Sequence, residues 1–338
     1  MGKVLSIIIP TYNMEVLLPR CLDSFIVTEE YMNKIEIFVI NDGSKDSSSR
    51  IAHEYEREYP NTIKVIDKTN GNYGSCINVG LKYATGKYFK ICDSDDFYEN
   101  KNLAEFVTFL SLTNSDIVFS PYNRVDSNNN IIQTFSSLTK YENKEFLLDE
   151  LNWDDEYFKQ FVVMHAMAIK TELLKNNNYK QSEGISYTDS QFVFYSSLYS
   201  TTCSFFEKHI YNYYIGREGQ SISITNGIKS CMQFFQNAEK MLDDYIAIKK
   251  PISENKRKLL LRPIVVCISI YASIVLCHIY DSKAKLLLLE NILKKAQESS
   301  NKCNIEDYLI KDKIFKLWRR FSVPAKLFYL LMTLKNRK

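Results

Sequence analysis

The chain has 338 residues, of which 45% are hydrophobic and 25% are charged, close to the average for soluble globular proteins. This composition excludes a disordered chain, a collagen-like chain and a multi-span membrane protein, and a net charge of +3 is too small to indicate a nucleic-acid-binding protein. The charge is unevenly placed, because residues 311–338 carry nine Lys or Arg and one Asp, which makes an acidic body with a basic tail.

The cysteines indicate the compartment. Eight of them are scattered along the chain without a Cys-x-x-Cys pair or a Cys/His spacing that suits zinc. In a chain of this size they are typical of reduced, buried thiols, so we expect a cytoplasmic protein. The N-terminus leads directly into a strand-like segment without the features of a signal peptide, which predicts that the protein is not exported.

The first 120 residues alternate between short apolar runs and helix-like segments. Continuous apolar runs separated by helices of this length are typical of a parallel sheet covered on both faces. We therefore predict an α/β, doubly wound domain. The predicted strands are Val4–Ile9, Ile35–Ile40, Ile63–Ile66, Tyr88–Ile91 and Asp116–Ser120. The predicted helices are Leu17–Phe25, Ser47–Tyr59, Ser75–Ala84 and Leu103–Leu112.

The rest of the chain is predicted to become first irregular and then helical. Residues 121–225 are less regular, with a helical run after Asp189, and from about Gly227 the pattern is helical to the end. This change predicts a domain boundary between 1–225 and 226–338. Two strand-like stretches in the irregular part are Cys203–Phe206 and Ile210–Tyr214.

One segment, Pro263–Tyr280, has 18 residues without Asp, Glu, Lys or Arg. That length is at the lower edge of what a membrane-spanning helix needs. Because the segment also contains serine, tyrosine, histidine and cysteine, we expect a buried helix of a C-terminal bundle.

Ligands of doubly wound sheets bind beyond the carboxyl ends of the strands. The first such end carries Pro10-Thr11-Tyr12-Asn13, which is neither the glycine-rich loop of a dinucleotide-binding domain nor a P-loop. The second end carries Asn41-Asp42-Gly43-Ser44. Asp-Gly favours a turn, but an acid at this position can also accept a hydrogen bond from a ribose hydroxyl or a base N–H group. The sequence leaves both interpretations open.

The end of the fourth strand carries a stronger signal. Asp93-Ser94-Asp95-Asp96 places three carboxylates within four residues, and they repel one another unless a cation or hydrogen-bond donors offset their charge. Capping the next helix needs one Asp rather than three. Asp-x-Asp on a short loop suits Mg²⁺ or Mn²⁺, with substrate phosphates completing the coordination. We therefore predict a divalent cation site on this loop.

These motifs occur in an order that resembles the inverting glycosyltransferases of family 2, which have the GT-A fold. The resemblance covers about residues 3–225, and it depends on the ordered set rather than on any one motif. The sheet motifs are Pro10-Thr11-Tyr12-Asn13, Asn41-Asp42-Gly43-Ser44, Asn78-Val79-Gly80 with Ala84-Thr85-Gly86-Lys87-Tyr88, and Asp93-Ser94-Asp95-Asp96. Later, Tyr187-Thr188-Asp189 is similar to the segment with the family's catalytic base, and residues 213–223 are similar to a closing motif of bacterial polysaccharide members.

The resemblance implies a GT-A type, mostly parallel doubly wound sheet at 1–225 that binds a nucleotide-sugar and performs catalysis, with a helical region after it. It implies that Asp189 is the general base and that Asp95, with Asp93, holds Mn²⁺ or Mg²⁺. The nucleotide-sugar-binding residues that it implies are Pro10, Thr11, Tyr12, Asn13, Asp42, Asn78, Asp93, Ser94, Arg217 and Ser221. The chain departs from the family at Ile77, where many members have a phosphate-contacting arginine, and at Thr188, where a glutamate often precedes the base.

The residue types are suited to this chemistry. A divalent cation neutralises the charge that develops on a diphosphate leaving group, and a carboxylate can take the proton of the acceptor hydroxyl. One base on the face opposite the leaving group gives single displacement and inversion. Taken alone, Asp189 also suits a helix N-cap, so its position does not decide its role.

We therefore expect an inverting glycosyltransferase that moves a sugar from a UDP-sugar to a saccharide, with a lipid-linked saccharide of bacterial surface polysaccharide synthesis as the expected acceptor. No nucleic acid partner is expected. A nucleotidyltransferase acting on sugar phosphates is an alternative, but it would normally show a glycine-rich loop after the first strand. A non-catalytic sugar-binding scaffold is a third possibility, against which the intact Asp93, Asp95 and Asp189 argue.

The basic tail is predicted to be amphipathic. In residues 314–334 apolar and aromatic side chains alternate with basic ones at helical spacing, which is typical of a helix lying in a membrane interface. Each Lys or Arg near an anionic leaflet adds about 1 kcal/mol of binding. We expect peripheral contact with an anionic membrane on its cytoplasmic side. The alternative is a helix packed on the bundle with a solvated basic face.

Overall fold

The apolar runs predicted as strands form the centre of an eight-stranded mixed sheet. The computed structural model describes residues 2–136, 140–216, 224–279, 283–298, 305–309, 313–321 and 327–328. The strands of the sheet are β1 (Leu5–Thr11), β2 (Ile35–Asn41), β3 (Ile63–Asp67), β4 (Tyr88–Ile91), β6 (Ile117–Phe119), β9 (Glu145–Leu147), β10 (Met167–Lys170) and β11 (Thr202–Phe205). Their order is β3-β2-β1-β4-β10-β6-β11-β9.

The first four strands of the sheet are all parallel, β1 pairing with β2 and β4, and β2 pairing with β3. Every residue of β1, β2 and β4 is buried, as expected where helices cover both faces of a parallel sheet. Thr11 lies beside Asn41, and Asn41 beside Asp67, so the carboxyl ends of these strands meet at one edge. The predicted α/β fold with a mostly parallel sheet is confirmed.

The other half of the sheet contains a strand that the sequence did not predict. β10 lies between β4 and β6 and is antiparallel to both, so the fifth predicted strand, now β6, is not a neighbour of β4. β10 has four residues within an irregular stretch, too short to show a period against its surroundings. Its buried Met167, Ala168 and Ile169 fill the gap between the two parallel pairs.

A second, four-stranded sheet connects the loop after β4 with a strand far along the chain. Its strands are β5 (Phe97–Tyr98), β7 (Tyr122–Val125), β8 (Ile131–Phe135) and β12 (Tyr211–Tyr214). The order is β5-β12-β7-β8, and β12 runs antiparallel to β5. The carboxylate-rich loop that ends at Asp96 is therefore held beside residues 211–214.

The chain divides into two compact units. The helices of the first unit, Met1–Glu218, lie close to the predicted ones, with small differences. They are α1 (Leu18–Asp23), α2 (Glu29–Met32), α3 (Ser48–Glu58), α4 (Asn72–Tyr83), α5 (Asn100–Leu112), α6 (Glu156–Lys159), α7 (Thr171–Asn176) and α8 (Asp189–Tyr199). α4 begins at Asn72 with a left-handed φ of 65°, three residues before the predicted start. Asparagine tolerates that conformation, so the helix begins nearer to the edge of the sheet at which the carboxyl ends of the parallel strands meet.

The second compact unit, Gly219–Lys338, is helical where the structure describes it. Its helices are α9 (Ile224–Lys229), α10 (Cys231–Ile246), α11 (Glu254–His278), α12 (Lys283–Glu298), α13 (Ile305–Leu309) and α14 (Lys313–Phe321). By length and composition α11 could cross a membrane, but 67% of its most apolar 18-residue window is buried in the protein. That degree of burial is what the core helix of a bundle shows.

The described part of the basic tail packs on this helical unit. Phe315 and Phe328 are buried, and Phe328 with Trp318 joins an apolar cluster around Leu276. The exposed residues of α14 include Lys316 and the basic pair 319–320. Phe315, Trp318 and Phe328 thus take the packed position that the sequence left as the alternative, and α14 presents basic groups to solvent.

Candidate active site

The loops after β1 and β2 are joined by reciprocal hydrogen bonds. The backbone N–H of Asn13 donates to Ser44 Oγ at 3.0 Å, and the backbone N–H of Lys45 donates to Asn13 Oδ1 at 2.7 Å. Asn13 adopts a left-handed φ of 54°, which an asparagine accepts at low cost. The predicted ligand contact Asn13 is therefore a tether that fixes the shape of two neighbouring loops.

The side chain of Asp42 is held by an ion pair and a backbone hydrogen bond. Its side chain is 5% exposed and pairs with Lys68 Nζ at 2.5 Å, and Oδ1 also accepts the backbone N–H of Gly71 at 2.9 Å. Lys68 donates further to Ser75 Oγ at 2.8 Å. Because these bonds connect the ends of β2 and β3 with the start of α4, they make a rigid floor under the site edge of the sheet.

Beyond this floor lies an open cleft of about 500 Å³. Its lining residues are Tyr12, Asn41, Gly43, Lys45, Asp67, Lys68, Thr69 and Asn70. The ring of Tyr12 is 47% exposed, whereas Thr11 and Pro10 are buried behind it. A planar ring beside amide and carboxylate groups is suited to stacking on a nucleobase and bonding its edge.

The carboxylates of Asp93, Asp95 and Asp96 place oxygen atoms within 4.8 Å of one another. Asp96 is fully buried, and its two oxygens accept hydrogen bonds from Tyr211 Oη at 2.6 Å and from the backbone N–H of Tyr214 at 2.7 Å. Burial, with the neighbouring charges of Asp95 and Asp93, raises the pKa of Asp96 well above its usual range. Asp96 therefore connects the loop to β12.

Asp93 and Asp95 are partly exposed and offer the oxygen ligands that Mg²⁺ and Mn²⁺ prefer. Asp93 Oδ1 accepts a hydrogen bond from Tyr73 Oη at 2.6 Å. The donor set is hard and anionic, and it lies on a loop held on both sides, so these residues fit a divalent cation. Ser94, predicted as a nucleotide contact, is 2% exposed and lies beneath the two acids.

Arg20 organises this loop and was missed by sequence reasoning. Its guanidinium stacks between the rings of Phe97 and Tyr214, with its central carbon 4.5 Å from each ring centroid. It donates to the backbone carbonyl of Asp95 at 2.7 Å and to Asn129 Oδ1 at 2.7 Å. The available signal was an arginine beside the buried residues of α1.

Asp189 is the first residue of α8. Tyr187, two residues before it, has a left-handed φ of 60°. Protein atoms crowd the carboxylate and raise its pKa by desolvation, while the backbone N–H groups of Ser190 and Asp189 itself oppose the rise. The residue is exposed to solvent all the same. The structure thus places Asp189 at the start of the helix, and its role as the base stays a prediction.

The charges of Asp189 and of the acidic loop affect the same two tyrosines. Burial is the largest cause that raises the pKa of the Tyr73 hydroxyl, and the charges of Asp93 and Asp189 add to the rise. The same two charges, with those of Asp95 and Asp96, contribute to the raised pKa of Tyr213, for which burial is the largest cause. The charges of Asp189 and of the acidic loop therefore act on the same two tyrosines.

Asn78 does not line the 500 Å³ cleft. Its Nδ2 donates to the carbonyl of Gln181 at 2.9 Å and to Glu183 Oε1 at 2.8 Å, and its Oδ1 accepts the backbone N–H of Gln181 at 2.8 Å. It thus ties α4 to the segment that leads into Asp189. Arg217 and Ser221 lie outside the described residues.

Comparisons with known proteins give one family and one fold. The family described as glycosyl transferase family 2 matches residues 6–176. A poly(ribitol-phosphate) beta-glucosyltransferase of Bacillus spizizenii is 28% identical over 223 residues, which are 65% of this chain and 33% of that relative. The aligned parts span 12% to 35% of the length of the first curated relatives.

Two solved structures are similar over nearly the whole chain. S. aureus TarS 1-349 in complex with UDP-GlcNAc has a TM-score of 0.61 at 20% identity, covering 94% of this chain and 92% of that one. The mannosyltransferase PcManGT of Pyrobaculum calidifontis, in complex with GDP-Man and Mn²⁺, has a TM-score of 0.53 at 15% identity, covering 99% and 87%. At these identities the likeness shows the fold.

Proposed function

The chain belongs to glycosyl transferase family 2 and has the GT-A fold, and we propose that it transfers a sugar from a UDP-sugar to a saccharide acceptor with inversion. It is related to enzymes of teichoic acid and polysaccharide biosynthesis. The observation that carries the proposal is the cluster of Asp93, Asp95 and Asp96, whose carboxylate oxygens lie within 4.8 Å of one another on a loop inside the family match. A leaving-group site and a base are needed on opposite sides of one reacting carbon.

In this proposal the cleft beside Tyr12 takes the uracil and ribose of the donor. The floor formed by Asp42 and Lys68 leaves that cleft little freedom to change shape, because each of the two side chains has more than one hydrogen bond. UDP-GlcNAc bound to TarS, which shares the fold, supports a uridine nucleotide as donor. Preorganised sites of this kind lose little entropy when the ligand binds.

The diphosphate would lie over Asp95 and Asp93, which would hold Mn²⁺ or Mg²⁺. When bound, the cation would neutralise the charge that develops on the departing diphosphate. Mn²⁺ in the mannosyltransferase that shares the fold supports a divalent cation. Tyr73, through its hydrogen bond to Asp93, would keep that carboxylate oriented while its charge is shared with a cation.

The acceptor hydroxyl would be deprotonated by Asp189. Desolvation raises the pKa of this carboxylate, which makes it a better proton acceptor than an ordinary Asp. Since only the ionised form accepts a proton, activity is expected to fall as the pH decreases through that raised pKa. The acid limb of the pH profile would thus lie above the usual Asp range.

Asp189→Asn tests the proposal, because it removes the base and keeps the shape of the side chain. We expect kcat to fall by about 10²- to 10⁴-fold, with unchanged UDP affinity measured by calorimetry. Asp155→Asn is the matched control, since Asp155 caps α6 by accepting the backbone N–H of Tyr157 at 2.8 Å. Near wild-type release of UDP by the Asp189 variant with a saccharide acceptor would show that Asp189 is only a helix-start residue.

We further propose a lipid-linked acceptor and peripheral contact with an anionic, cytoplasmic membrane face. The exposed basic side chains of α14, among them Lys316 and Arg320, support an electrostatic contact rather than insertion of the packed aromatic residues. Full-length protein should sediment with anionic liposomes at low salt and stay in solution with neutral ones. Equal sedimentation of wild type and a Lys316→Ser/Arg320→Ser variant would contradict this contact.

A further inference from the structure

Gln181 has an environment that its exposed neighbours in sequence do not share. Its side chain is fully buried, and Nε2 donates to both the carbonyl and Oγ1 of Thr188, each at 2.8 Å. Its Oε1 accepts a hydrogen bond from Tyr179 Oη at 2.9 Å. A buried amide with both N–H groups and its carbonyl in use is expensive to displace. Gln181 therefore fixes Thr188, the residue that immediately precedes Asp189.

The backbone of Gln181 is fixed in turn by α4. Asn78 accepts its N–H and donates to its carbonyl, which imitates the pairing of two strands. A Cβ at Gly74 would collide with the carbonyl of Ser182, so only glycine allows this close approach. Gly184 N–H also donates to the Gly71 carbonyl at 2.9 Å. The segment 181–184 is thus docked along the first turns of α4.

The same end of α4 reaches the acidic loop through Tyr73, whose hydroxyl donates to Asp93. One helix therefore holds an acidic-loop carboxylate directly and the segment before Asp189 through Asn78 and Gln181. No strand of the sheet carries Asp189, which is the first residue of α8. The position of this carboxylate relative to Asp93 depends on these contacts.

We propose that Gln181 is a positioning residue for sugar transfer, which sets the place of Asp189 by holding Thr188 against α4. This inference rests on the proposed role of Asp189 as base. Gln181 lies eight residues before Asp189 in the chain and acts on it through Thr188. Thr188 immediately precedes Asp189, so its two hydrogen bonds with Gln181 act at the start of α8.

The physical reason is that the rate of proton transfer is sensitive to distance. A displacement of about 1 Å in a reacting group costs about 10²-fold in rate, whereas donor binding on the other side of the site is unaffected. Loss of Gln181 should therefore lower kcat and leave the affinity for UDP unchanged. A purely structural role would lower the unfolding temperature without separating these two quantities.

The experiment compares Gln181→Met, which keeps the volume and removes the amide, with Thr188→Val and Thr188→Ser. Expected kcat losses are about 10- to 100-fold for Gln181→Met, smaller for Thr188→Val, and near none for Thr188→Ser, which keeps the hydroxyl. The Gln181→Met/Thr188→Val double variant should lose less than the two single losses combined, because both act through one contact.

The matched control is Thr62→Val, because Thr62 Oγ1 makes a buried hydrogen bond of 3.0 Å to the Met32 carbonyl at the opposite end of β3 from the site. It should lose stability with wild-type kcat. Asp189→Asn is measured in parallel to separate the two hypotheses. If Asp189→Asn is inactive and Gln181→Met and Thr188→Val both keep wild-type kcat, the positioning role is wrong and the base survives. If Asp189→Asn is active, the base is wrong and the positioning role falls with it.

Discussion

The two halves of the first unit build their parts of the site in different ways. In the N-terminal half, residues 5–91, Tyr12 and Asp42 follow directly after the ends of the parallel strands β1 and β2. In the C-terminal half, residues 115–216, Asp189 follows an irregular segment, and its place depends on contacts with α4. Strand order therefore positions the first set, and side-chain hydrogen bonds position the second.

This difference has a mechanical consequence. Parallel strands share backbone ladders, so single side-chain changes in the N-terminal half leave the site edge in register. The C-terminal half lacks that support near Asp189 and depends on individual amides and hydroxyls. Changes at the strand ends of the first half, such as Asp42, are thus expected to alter ligand affinity, while changes around Asp189 in the second half alter the rate of transfer.

The largest effect is expected for Asp95→Ala, at the junction of the halves. Asp95 is a proposed ligand of the divalent cation, and removal of such a ligand costs several kcal/mol of transition-state stabilisation, or about 10³-fold in kcat. Turnover and UDP affinity are measured with increasing Mn²⁺. Asp244→Ala on α10 is the control, because it removes a partly exposed acid outside this unit. Unchanged Mn²⁺-dependent UDP affinity in Asp95→Ala would contradict its role.

A sharper test of the comparison uses two similar ion pairs. Asp42→Asn weakens the pair with Lys68 in the cleft floor, and Asp116→Asn weakens the pair with Lys170 at the start of β6. Replacing a charged hydrogen bond by a neutral one costs about 1 kcal/mol of stability in each. UDP affinity should fall by about tenfold in Asp42→Asn only. Equal affinities by calorimetry would remove Asp42 from the donor site.

A smaller loss is expected for Arg20→Met, which keeps the aliphatic stem and removes the stacked guanidinium. The acidic loop would lose its hydrogen bond from Arg20, and the stacking of Arg20 on Tyr214 would be lost with it, so kcat should fall by about tenfold. Arg20→Lys should restore little, since an ammonium does not stack as a planar fork. Arg50→Met on the exposed face of α3 is the control, and matching kcat values for both Met variants would argue that the clamp is not needed.

The smallest effect concerns pH and belongs wholly to the N-terminal half. His53 bonds Asp67 and Glu56 at 2.8 Å each, and the Asp67 hydrogen bond, the largest cause, raises the pKa of His53. Its stabilisation is therefore complete below the unfolded pKa and is lost as the pH rises through the folded one. His53 is 37% exposed, so the gain over His53→Gln should be a few tenths of a kcal/mol at low salt.

Chemical denaturation of both proteins from about pH 5 to pH 9 measures this difference. It should shrink with rising pH and with added salt, because exposed pairs are screened. A difference that stays constant across that range would show that His53 acts through packing instead.

Much of the fold could be predicted from local patterns, because the continuous apolar strands and the Asp-rich loop can each be recognised from a few consecutive residues. β10 could not, since four residues carry no period of their own. Arg20, Tyr73 and Gln181 could not either, because their partners are distant in sequence. Asn78 was found by its motif, yet its hydrogen bonds connect α4 with the segment before Asp189, a contact that the motif alone does not reveal.

The sequence by itself determined the parallel core, the strand ends at which polar residues gather, and the type of chemistry that clustered carboxylates offer. Those properties depend on residue type and on spacing along one strand and its following loop. The tertiary structure alone decided that Asp96 joins the acidic loop to β12, that Arg20 clamps the same loop, and that Gln181 holds the residue before Asp189. These are contacts between residues far apart in the chain, and their energies depend on burial and geometry that exist only once the chain has folded.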